Sequence, residues 1–570
     1  MTAIRVWAPK ASRLSLFAAG SSTPMTAEAD GWWSGPELAP GTDYGFLIDD
    51  ARTPVPDPAS PYQPHGVHGP SRSYDDGAYV WHDGQWQGRP LERGIVYELH
   101  VGTFTEGGTF DSAIGRLGHL VKLGVTHVEL LPVNAFNGTW NWGYDGVGWY
   151  AVHAQYGGPD GLKRFVDACH GCGLAVVLDV VYNHLGPSGN YLPQFGPYLK
   201  TGRNTWGDLL NLEEPNVREF ILGNALRWLR DFHFDGLRLD AVHALQDSSP
   251  VHLLTELATR VDALSEQLGR PLTLIAESDL NDPVMIEPRE AGGHGLAAQW
   301  DDDVHHALHS NLTGETQGYY CDFGGLEALA KVFTRAFLHD GTYSTFRGRD
   351  HGRPVNRETT SGWQFVVALQ NHDQVGNRAV GDRLPELTSV GMLRVGAMLL
   401  LTSPFTPMLW MGEEWAASTR WPFFTSHPEP ELAKATAEGR REEFAGHDWN
   451  VEEMIDPQDP AAFHGAVLRW PEASEGTHAE ILALYRALIA LRAAEPELSD
   501  GDLTQVEVEF DDAERWFLVH RGSLRVIANF GSSPREFPAG ALLLGTEDGV
   551  TVTDGVLTLP GESAAVVRAA

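Results

Sequence analysis

The sequence is poor in cysteine. Only Cys169, Cys172 and Cys321 occur among 570 residues, an odd and sparse set that provides no disulfide framework and suits a reducing compartment. Cys169 and Cys172 flank His170 and Gly171 in a spacing that resembles one half of a zinc site. No second ligand pair follows at a usable distance, so we expect the end of a helix there and no metal.

The chain also lacks a long hydrophobic run. Its longest apolar region, residues 395–412, is interrupted by two prolines and by hydroxyl side chains, which argues against a membrane span and favours a buried strand with its flanks. The opening residues, MTAIRVWAPKAS, have neither the basic nor the apolar block of a secretion signal. We therefore expect a cytoplasmic protein without membrane contact.

Positive charge is scarce. Lys and Arg total 41 against 76 Asp and Glu, which gives a formal net charge of −35. Such a chain repels polyanions, so nucleic acid and anionic lipid are not expected partners. A neutral ligand is easier to accommodate, and we expect most of the excess acid to be solvated surface.

The length exceeds that of a single core, so we expect several domains. Residues 1–90 alternate apolar and polar positions between turn residues, which predicts a β-sandwich module. The proline-rich stretch 54–70 should cross the surface into the next domain. Short alternating strands return near residue 502, which predicts an all-β C-terminal domain over residues 496–570.

Between these modules, over residues 91–495, β-branched runs recur with amphipathic segments between them. The eight runs are residues 94–104, 127–133, 175–184, 234–243, 272–278, 297–305, 364–373 and 396–411. Apolar runs of this kind are typical of parallel strands covered on both sides, so we predict the α/β fold class and a (β/α)8 TIM barrel with a short insertion at 185–215. Apolar residues at helical spacing from Ile481 to Leu491 predict its last helix.

Four stretches end candidate strands: DVVYNH (179–184), DGLRLD (235–240), IAES (275–278) and QNHD (370–373). In a parallel barrel the carboxyl ends of the strands share one mouth. The stretches would bring Asp240, Glu277 and Asp373 to that mouth, where cleavage of a sugar–sugar bond needs carboxyl groups. A structural origin for any one stretch is easy to imagine, but their order and positions together indicate a glycosidase.

The surroundings of two of the acids differ. Arg238 and Asp240 are two apart on a strand and share a face, and a fixed cation favours the ionised carboxylate that a nucleophile requires. Glu277 follows Leu274, Ile275 and Ala276, and an apolar setting would raise its pKa and keep a proton available for a leaving oxygen. Asp373 is placed to support a cation-like transition state.

The four stretches resemble the signature regions of glycoside hydrolase family 13, the α-amylase family. The resemblance implies a retaining hydrolase with Asp240 as nucleophile, Glu277 as general acid and base, and Asp373 as transition-state stabiliser. It also implies that glucose is bound by Arg238, His184, His372, Tyr144, Asp145 and Asp179. Abundant tryptophan near strand ends suggests stacking on glucose, and Trp142 and Trp415 lie nearest to the motifs. Glu413, close to the segment 423–444, is a further candidate for substrate binding.

Within the family, a narrower resemblance rests on residues 182–198, 276–283, 370–378 and 423–444. It implies cleavage of the α-1,4 bond next to a terminal trehalose unit on a malto-oligosyl chain, and functional coupling to the synthase that makes that terminal linkage. Residues 423–444 could line the side that receives trehalose. The same charges are equally typical of an amphipathic surface helix, so both interpretations stay open.

The insertion at 185–215 is short compared with that of many α-amylases, in which a larger one holds calcium. Asn183 occupies the position of such a ligand, but few carboxylates lie near it in the sequence. We therefore expect no metal and no cofactor. Two alternatives remain: a branching or debranching enzyme of the same family, and a catalytically silent glucan-binding scaffold.

Overall fold

The computed structural model describes residues 2–446 and 454–570. At its centre, eight parallel strands pair in chain order and the last pairs with the first, so that the sheet closes into a barrel. The strands are Val96–Leu99, His127–Leu130, Ala175–Val180, Gly236–Leu239, Thr273–Ala276, Ala298–Trp300, Phe365–Ala368 and Thr406–Trp410. Each lies inside one of the predicted runs, and the predicted TIM barrel is confirmed.

Helices surround the barrel and connect its strands. Several of the longer ones, such as Gly158–Gly171 and Leu253–Leu268, bury one apolar side, as the amphipathic segments predict. In chain order the helices are Val101–Phe104, Phe110–Ile114, Leu117–Leu123, Gly158–Gly171, Leu192–Phe195, Pro215–Asp231, Leu253–Leu268, Asp302–Thr313, Leu326–Arg335, His372–Gly376, Leu384–Leu387, Val390–Thr402, Pro430–Gly446, Pro460–Gly465 and Gly476–Ala494. The last of them confirms the helix predicted around residues 481–491.

The eighth predicted run was wrong in its extent. Residues 396–402 belong to the helix Val390–Thr402, and the strand occupies only Thr406–Trp410. The helix is rich in Leu, Met, Ala and Gly and is buried along most of its length, and periodicity cannot distinguish a fully buried helix from a buried strand. Ser403 and Pro404, which looked like an interruption, are the connection between the two elements.

Two antiparallel sheets precede the barrel. One joins Thr2–Trp7, Trp32–Leu38 and Thr26–Ala27, and the other joins Ser21–Pro24, Leu14–Ala18, Asp43–Ile48 and Ser71–Arg72. The proline-rich stretch makes only isolated bridges there, at Val55 and Tyr62, because proline cannot donate to a regular ladder. The predicted β module at the N-terminal end is confirmed.

Two further antiparallel sheets follow the barrel. The larger joins Val506–Asp511, Trp516–Arg521, Leu524–Asn529, Ser563–Arg568 and Leu542–Gly545, and the smaller joins Arg535–Pro538, Val556–Leu559 and Thr551–Thr553. Three short hairpins also leave the barrel, at residues 134–152, 199–210 and 342–351. No helix within residues 2–446 or 454–570 is long and apolar enough to cross a bilayer.

Candidate active site

The three predicted carboxylates lie at the same end of the barrel. Asp240 directly follows the fourth strand and Glu277 directly follows the fifth, while Asp373 is the second residue of the short helix after the seventh. The backbone N–H of Asp240 donates to Val180 O at 3.0 Å, and that of Glu277 donates to Leu239 O at 2.9 Å. These bonds extend the barrel ladder by one residue, so the rigid sheet fixes where both side chains begin.

Arg238 lies at the centre of the group. Its fully buried guanidinium places Nη1 at 3.0 and 2.9 Å from the two oxygens of Asp179 and at 2.8 Å from Asp240 Oδ1. Nη2 is 3.6 Å from Glu277 Oε2, and the group sits 4.2 Å above the ring of Trp300. A buried cation requires such partners because its desolvation is otherwise uncompensated. One guanidinium therefore joins the acids at the ends of three neighbouring strands.

Both oxygens of Asp240 have donors. Oδ1 accepts from Arg238, and Oδ2 accepts from the amide of Asn183 at 2.7 Å. The same amide nitrogen donates to the backbone oxygen of Asp240 at 3.0 Å. The carbonyl oxygen of Asn183, which would face a cation in a calcium site, is 2.6 Å from His184 Nδ1. In this chain Asn183 therefore orients Asp240.

Glu277 has a different environment. Burial raises the pKa of its carboxyl group, and the charges of Asp240 and Asp373 add to this effect while Arg238 opposes it. Oε2 accepts the backbone N–H of Ala241 at 2.6 Å, whereas Oε1 has no hydrogen-bond partner among the described residues. Ala241 adopts a left-handed conformation with φ 42° and ψ 50°. Glu277 can therefore keep its proton on an oxygen that no protein group occupies.

Tyr144 lies between two other predicted binding residues. Its hydroxyl is 2.6 Å from Asp179 Oδ2 and 2.7 Å from His372 Nε2, and the Tyr144 and His372 rings stack with centroids 5.2 Å apart. Burial raises the pKa of Asp179 to about 7 although Arg238 opposes the shift. His372 Nε2 is also 3.4 Å from Asp373 Oδ2. The structure thus links the ends of the third, fourth and seventh strands.

His184 and Asp145 adjoin this group. His184 Nε2 lies 3.0 Å from the backbone oxygen of Tyr144, and Asp145 Oδ2 accepts from the Asn141 amide at 2.5 Å. The Asp145 side chain is 25% exposed, so it can still contact a ligand. The predicted glucose-binding residues that come together at this end of the barrel are Arg238, His184, His372, Tyr144, Asp145 and Asp179.

Three other predicted contacts do not hold. Trp415 is fully buried against Trp470 and the ring of His119, and Glu413 is buried where it accepts from the Tyr485 hydroxyl at 3.0 Å. Neither offers a surface that a sugar could reach. Trp142 is 3% exposed; its ring stacks on Trp421 and meets the edge of His372. Trp142 therefore packs behind His372 and supports the site without facing it. These predictions failed because packing, and not nearness to a motif in the sequence, decides which aromatic rings are exposed.

The sequence did not single out two residues beside the acids. Trp206 was one of several tryptophans near strand ends, and it is 48% exposed and stacked near His184 with ring centroids 6.0 Å apart. Asp302 begins the helix after the sixth strand, and its carboxylate has no partner among the described residues. Burial, reinforced by the charges of Glu277 and Asp373, raises the pKa of Asp302 to about 7. The run of three aspartates at 301–303 was the available signal.

The segment 423–444 shows features of both interpretations. Residues 430–442 of its helix are largely exposed, as in a surface helix. Arg440 nevertheless donates to Asn377 Oδ1 at 2.9 Å, and the Asn377 amide donates to Asp373 Oδ1 at 3.2 Å. Arg440 also lies 4.5 Å over the ring of Phe423. The surface helix is therefore connected to Asp373, one of the three acids, through Arg440 and Asn377.

Comparisons with known proteins agree with this geometry. The description "Alpha amylase, catalytic domain" matches residues 72–197, and "Domain of unknown function (DUF3459)" matches residues 501–566. A malto-oligosyltrehalose trehalohydrolase of Arthrobacter ramosus is 56% identical over 99% of each chain, and one of Mycobacterium tuberculosis is 50% identical over 100% of each. A solved chain from Salmonella typhimurium described as an alpha amylase has a TM-score of 0.91 at 38% identity, covering 99% of this chain and 97% of that one.

A closed parallel barrel with acids at the ends of its fourth, fifth and seventh strands places the chain among the glycoside hydrolases of the α-amylase family. Its identity to full-length relatives narrows this further. The chain belongs to the malto-oligosyltrehalose trehalohydrolases of that family.

Proposed function

We propose that the chain hydrolyses the α-1,4-glucosidic bond next to the terminal trehalose unit of malto-oligosyltrehalose and releases free trehalose. The observation that carries the proposal is the pair Asp240 and Glu277 around one buried guanidinium. Asp240 accepts hydrogen bonds on both carboxylate oxygens. Glu277 is buried, one of its oxygens has no hydrogen-bond partner among the described residues, and its pKa is raised. Two carboxyl groups in such different environments suit the two roles of a retaining glycosidase.

The proposed reaction is a double displacement. Asp240 attacks the anomeric carbon, the bond from that carbon to the leaving oxygen breaks, and the proton of Glu277 passes to that oxygen so that trehalose departs. Glu277, now ionised, removes a proton from water, and the water oxygen displaces Asp240 from the anomeric carbon. The malto-oligosaccharide leaves with its configuration retained. Retention requires the two carboxyl groups to lie ~5 to 5.5 Å apart.

Asp373 and the residues around it are proposed to bind the glucose ring whose bond is cut. Asp373 is the most exposed of the three acids, with 42% of its side chain accessible. Its carboxylate can accept hydrogen bonds from hydroxyl groups of that ring and stabilise the positive charge that develops there. His372 and Tyr144 lie beneath it, stacked on each other. No step of this mechanism requires a metal or a cofactor.

The decisive experiment compares two substrates of equal length. With maltotriosyltrehalose the protein should release trehalose and maltotriose, and with maltopentaose the rate should be far lower. Asp240→Ala should abolish turnover of both. New branch points in amylose would instead support a branching enzyme, and cleavage of α-1,6 bonds a debranching enzyme. Glucan binding without any hydrolysis would support a silent scaffold.

We also propose functional coupling in the cytoplasm to a malto-oligosyltrehalose synthase, which would supply the substrate of this reaction.

We further propose three domains with boundaries near residues 90 and 495. In support, among the described residues the sheets before and after the barrel pair only among their own strands and share none with the barrel.

A further inference from the structure

A buried glutamate of the first barrel strand lies directly behind the site. Glu98 is 0% exposed. Its Oε1 is 2.5 Å from His372 Nδ1, and its Oε2 accepts the backbone N–H of His372 at 3.1 Å. The two oxygens thus hold both the ring and the main chain of one residue. This bidentate arrangement fixes the orientation of the imidazole, and with Glu98 as the carboxylate, which can only accept, Nδ1 carries a proton.

The proton on the other ring nitrogen follows from Tyr144. Its hydroxyl lies between His372 Nε2 at 2.7 Å and Asp179 Oδ2 at 2.6 Å, and it has one proton to donate. Both oxygens of Asp179 accept hydrogen bonds from Arg238. Above a pH of about 7 Asp179 is ionised and has no proton to donate, so in its contact with Tyr144 the hydroxyl group must be the donor. Nε2 of His372 must then be the donor to the Tyr144 oxygen. With both nitrogens donating, the ring is an imidazolium.

The charges around His372 are consistent with that state. Burial and the positive charge of Arg238 both act to lower the pKa of His372. The negative charges of Asp373 and Glu98 outweigh these two effects and raise the pKa to about 9. Two further titratable groups face the ring. Burial raises the pKa of Glu129 well above its ordinary value and lowers that of His100 to about 4, so both are neutral near pH 7.

We propose that Glu98 is a positioning residue that holds His372 as an imidazolium, so that its Nε2–H orients Tyr144 and Asp373 around the bound glucose ring. The inference rests on the proposed hydrolase function and adds a residue to it. Glu98 is out of reach of the sugar and acts only through His372. Without the Glu98 charge, the desolvated ring would lose a proton in the neutral range, and Tyr144 would lose its donor.

The variant Glu98→Gln tests this, with Glu129→Gln as a matched control. Glu98 and Glu129 are paired in register on neighbouring barrel strands, and both are buried. Neither oxygen of Glu129 has a hydrogen-bond partner, and its raised pKa means that the amide replaces an already neutral acid. The assay is the ratio of kcat at pH 6 to kcat at pH 8 on maltotriosyltrehalose, relative to the wild-type ratio. That comparison cancels the titration of Glu277, which all three proteins share.

We expect the ratio to rise by about tenfold or more in Glu98→Gln, as the pKa of His372 falls to or below that of an ordinary histidine, near 6.5. Glu129→Gln should keep the wild-type ratio, and Glu98→Asp, which retains the charge, should lie between them. An equal loss of activity at both pH values in Glu98→Gln would indicate a purely structural role and overturn the inference, as would an unchanged ratio.

A second measurement does not depend on turnover. The imidazole 15N resonances of His372, identified by their absence in His372→Asn, should report two protonated nitrogens from pH 6 to pH 8 in the wild-type protein. In Glu98→Gln one of the two nitrogens should have lost its proton by pH 8. A neutral His372 in the wild-type protein at pH 7 would overturn the inference even if Glu98→Gln does not fold. A wild-type protein inactive on maltotriosyltrehalose would refute the proposed function and leave this measurement to decide the inference.

Discussion

Glu277→Gln gives the sharpest test of the proposed chemistry, because the structure predicts that the amide fits. Its carbonyl oxygen can still accept the N–H of Ala241, which now donates to Oε2 at 2.6 Å. The contact with Arg238 is 3.6 Å long, beyond hydrogen-bond distance, so the amide leaves no hydrogen bond to Arg238 broken. What disappears is the proton. Loss of general acid catalysis costs about 10² to 10⁴ in rate, equivalent to about 3 to 5.5 kcal/mol of transition-state stabilisation.

Two substrates separate proton transfer from other effects. Release of trehalose from maltotriosyltrehalose should fall by that factor, since the departing sugar oxygen needs a proton. Maltosyl fluoride should lose far less in its first step, because fluoride departs without one. The matched control is Glu413→Gln, because Glu413 is a buried acid whose pKa is raised by burial to about 8 and which contacts Tyr485 on the last helix. It should retain wild-type rates on both substrates. Trehalose release by Glu277→Gln within tenfold of wild type would refute the assignment of the acid.

Three further outcomes are expected. Tyr144→Phe removes hydrogen bonds of 2.6 and 2.7 Å around a buried carboxylate, worth about 1.5 to 3 kcal/mol, so kcat should fall about 10- to 100-fold; an unchanged kcat would contradict this. Burial alone would lower the pKa of His170, but Asp235 and Asp83 raise it. The charged His170 therefore stabilises the folded protein fully below pH 6.5, and this stabilisation is lost as the pH rises through the folded-state pKa. The difference in unfolding free energy between wild type and His170→Gln, measured by urea denaturation, should shrink from pH 6 to pH 9; a constant difference would contradict this. Trp415→Ala should lower the unfolding free energy by about 3 to 5 kcal/mol but leave the KM of the folded protein unchanged; a raised KM would restore a binding role to that ring.

The sequence was sufficient for the position of the acids. Asp240 and Glu277 directly follow short runs rich in aliphatic residues, and parallel barrel strands bring their carboxyl ends to one mouth whatever loops connect them. The same logic placed Arg238, because residues two apart on a strand share a face. Residues whose role follows from the strand they occupy could therefore be found without coordinates.

Residues whose role depends on distant packing could not. Glu98 stands in VYEL, a short strand like any other, and its partner His372 is 274 positions away. Trp142 and Trp415 lie near motifs, but other aromatic rings cover them. In the same way, residues 396–402 are apolar on all sides, and only the neighbouring elements decide that they form a helix. A sequence pattern reports which side chains are apolar but not what covers them.

The contact between Ala241 and Glu277 has a consequence for how the site can change over generations. The donor is a peptide group, so almost any residue at this position still carries it, and only proline would delete it. What a substitution alters is how readily the chain takes the left-handed path at φ 42°, a conformation that most side chains disfavour by ~1 to 2 kcal/mol. The orientation of the Glu277 carboxyl group thus depends on the backbone conformation at position 241 and not on the side chain there. A substitution at this position would change the stability of the fold before it changed the catalytic chemistry.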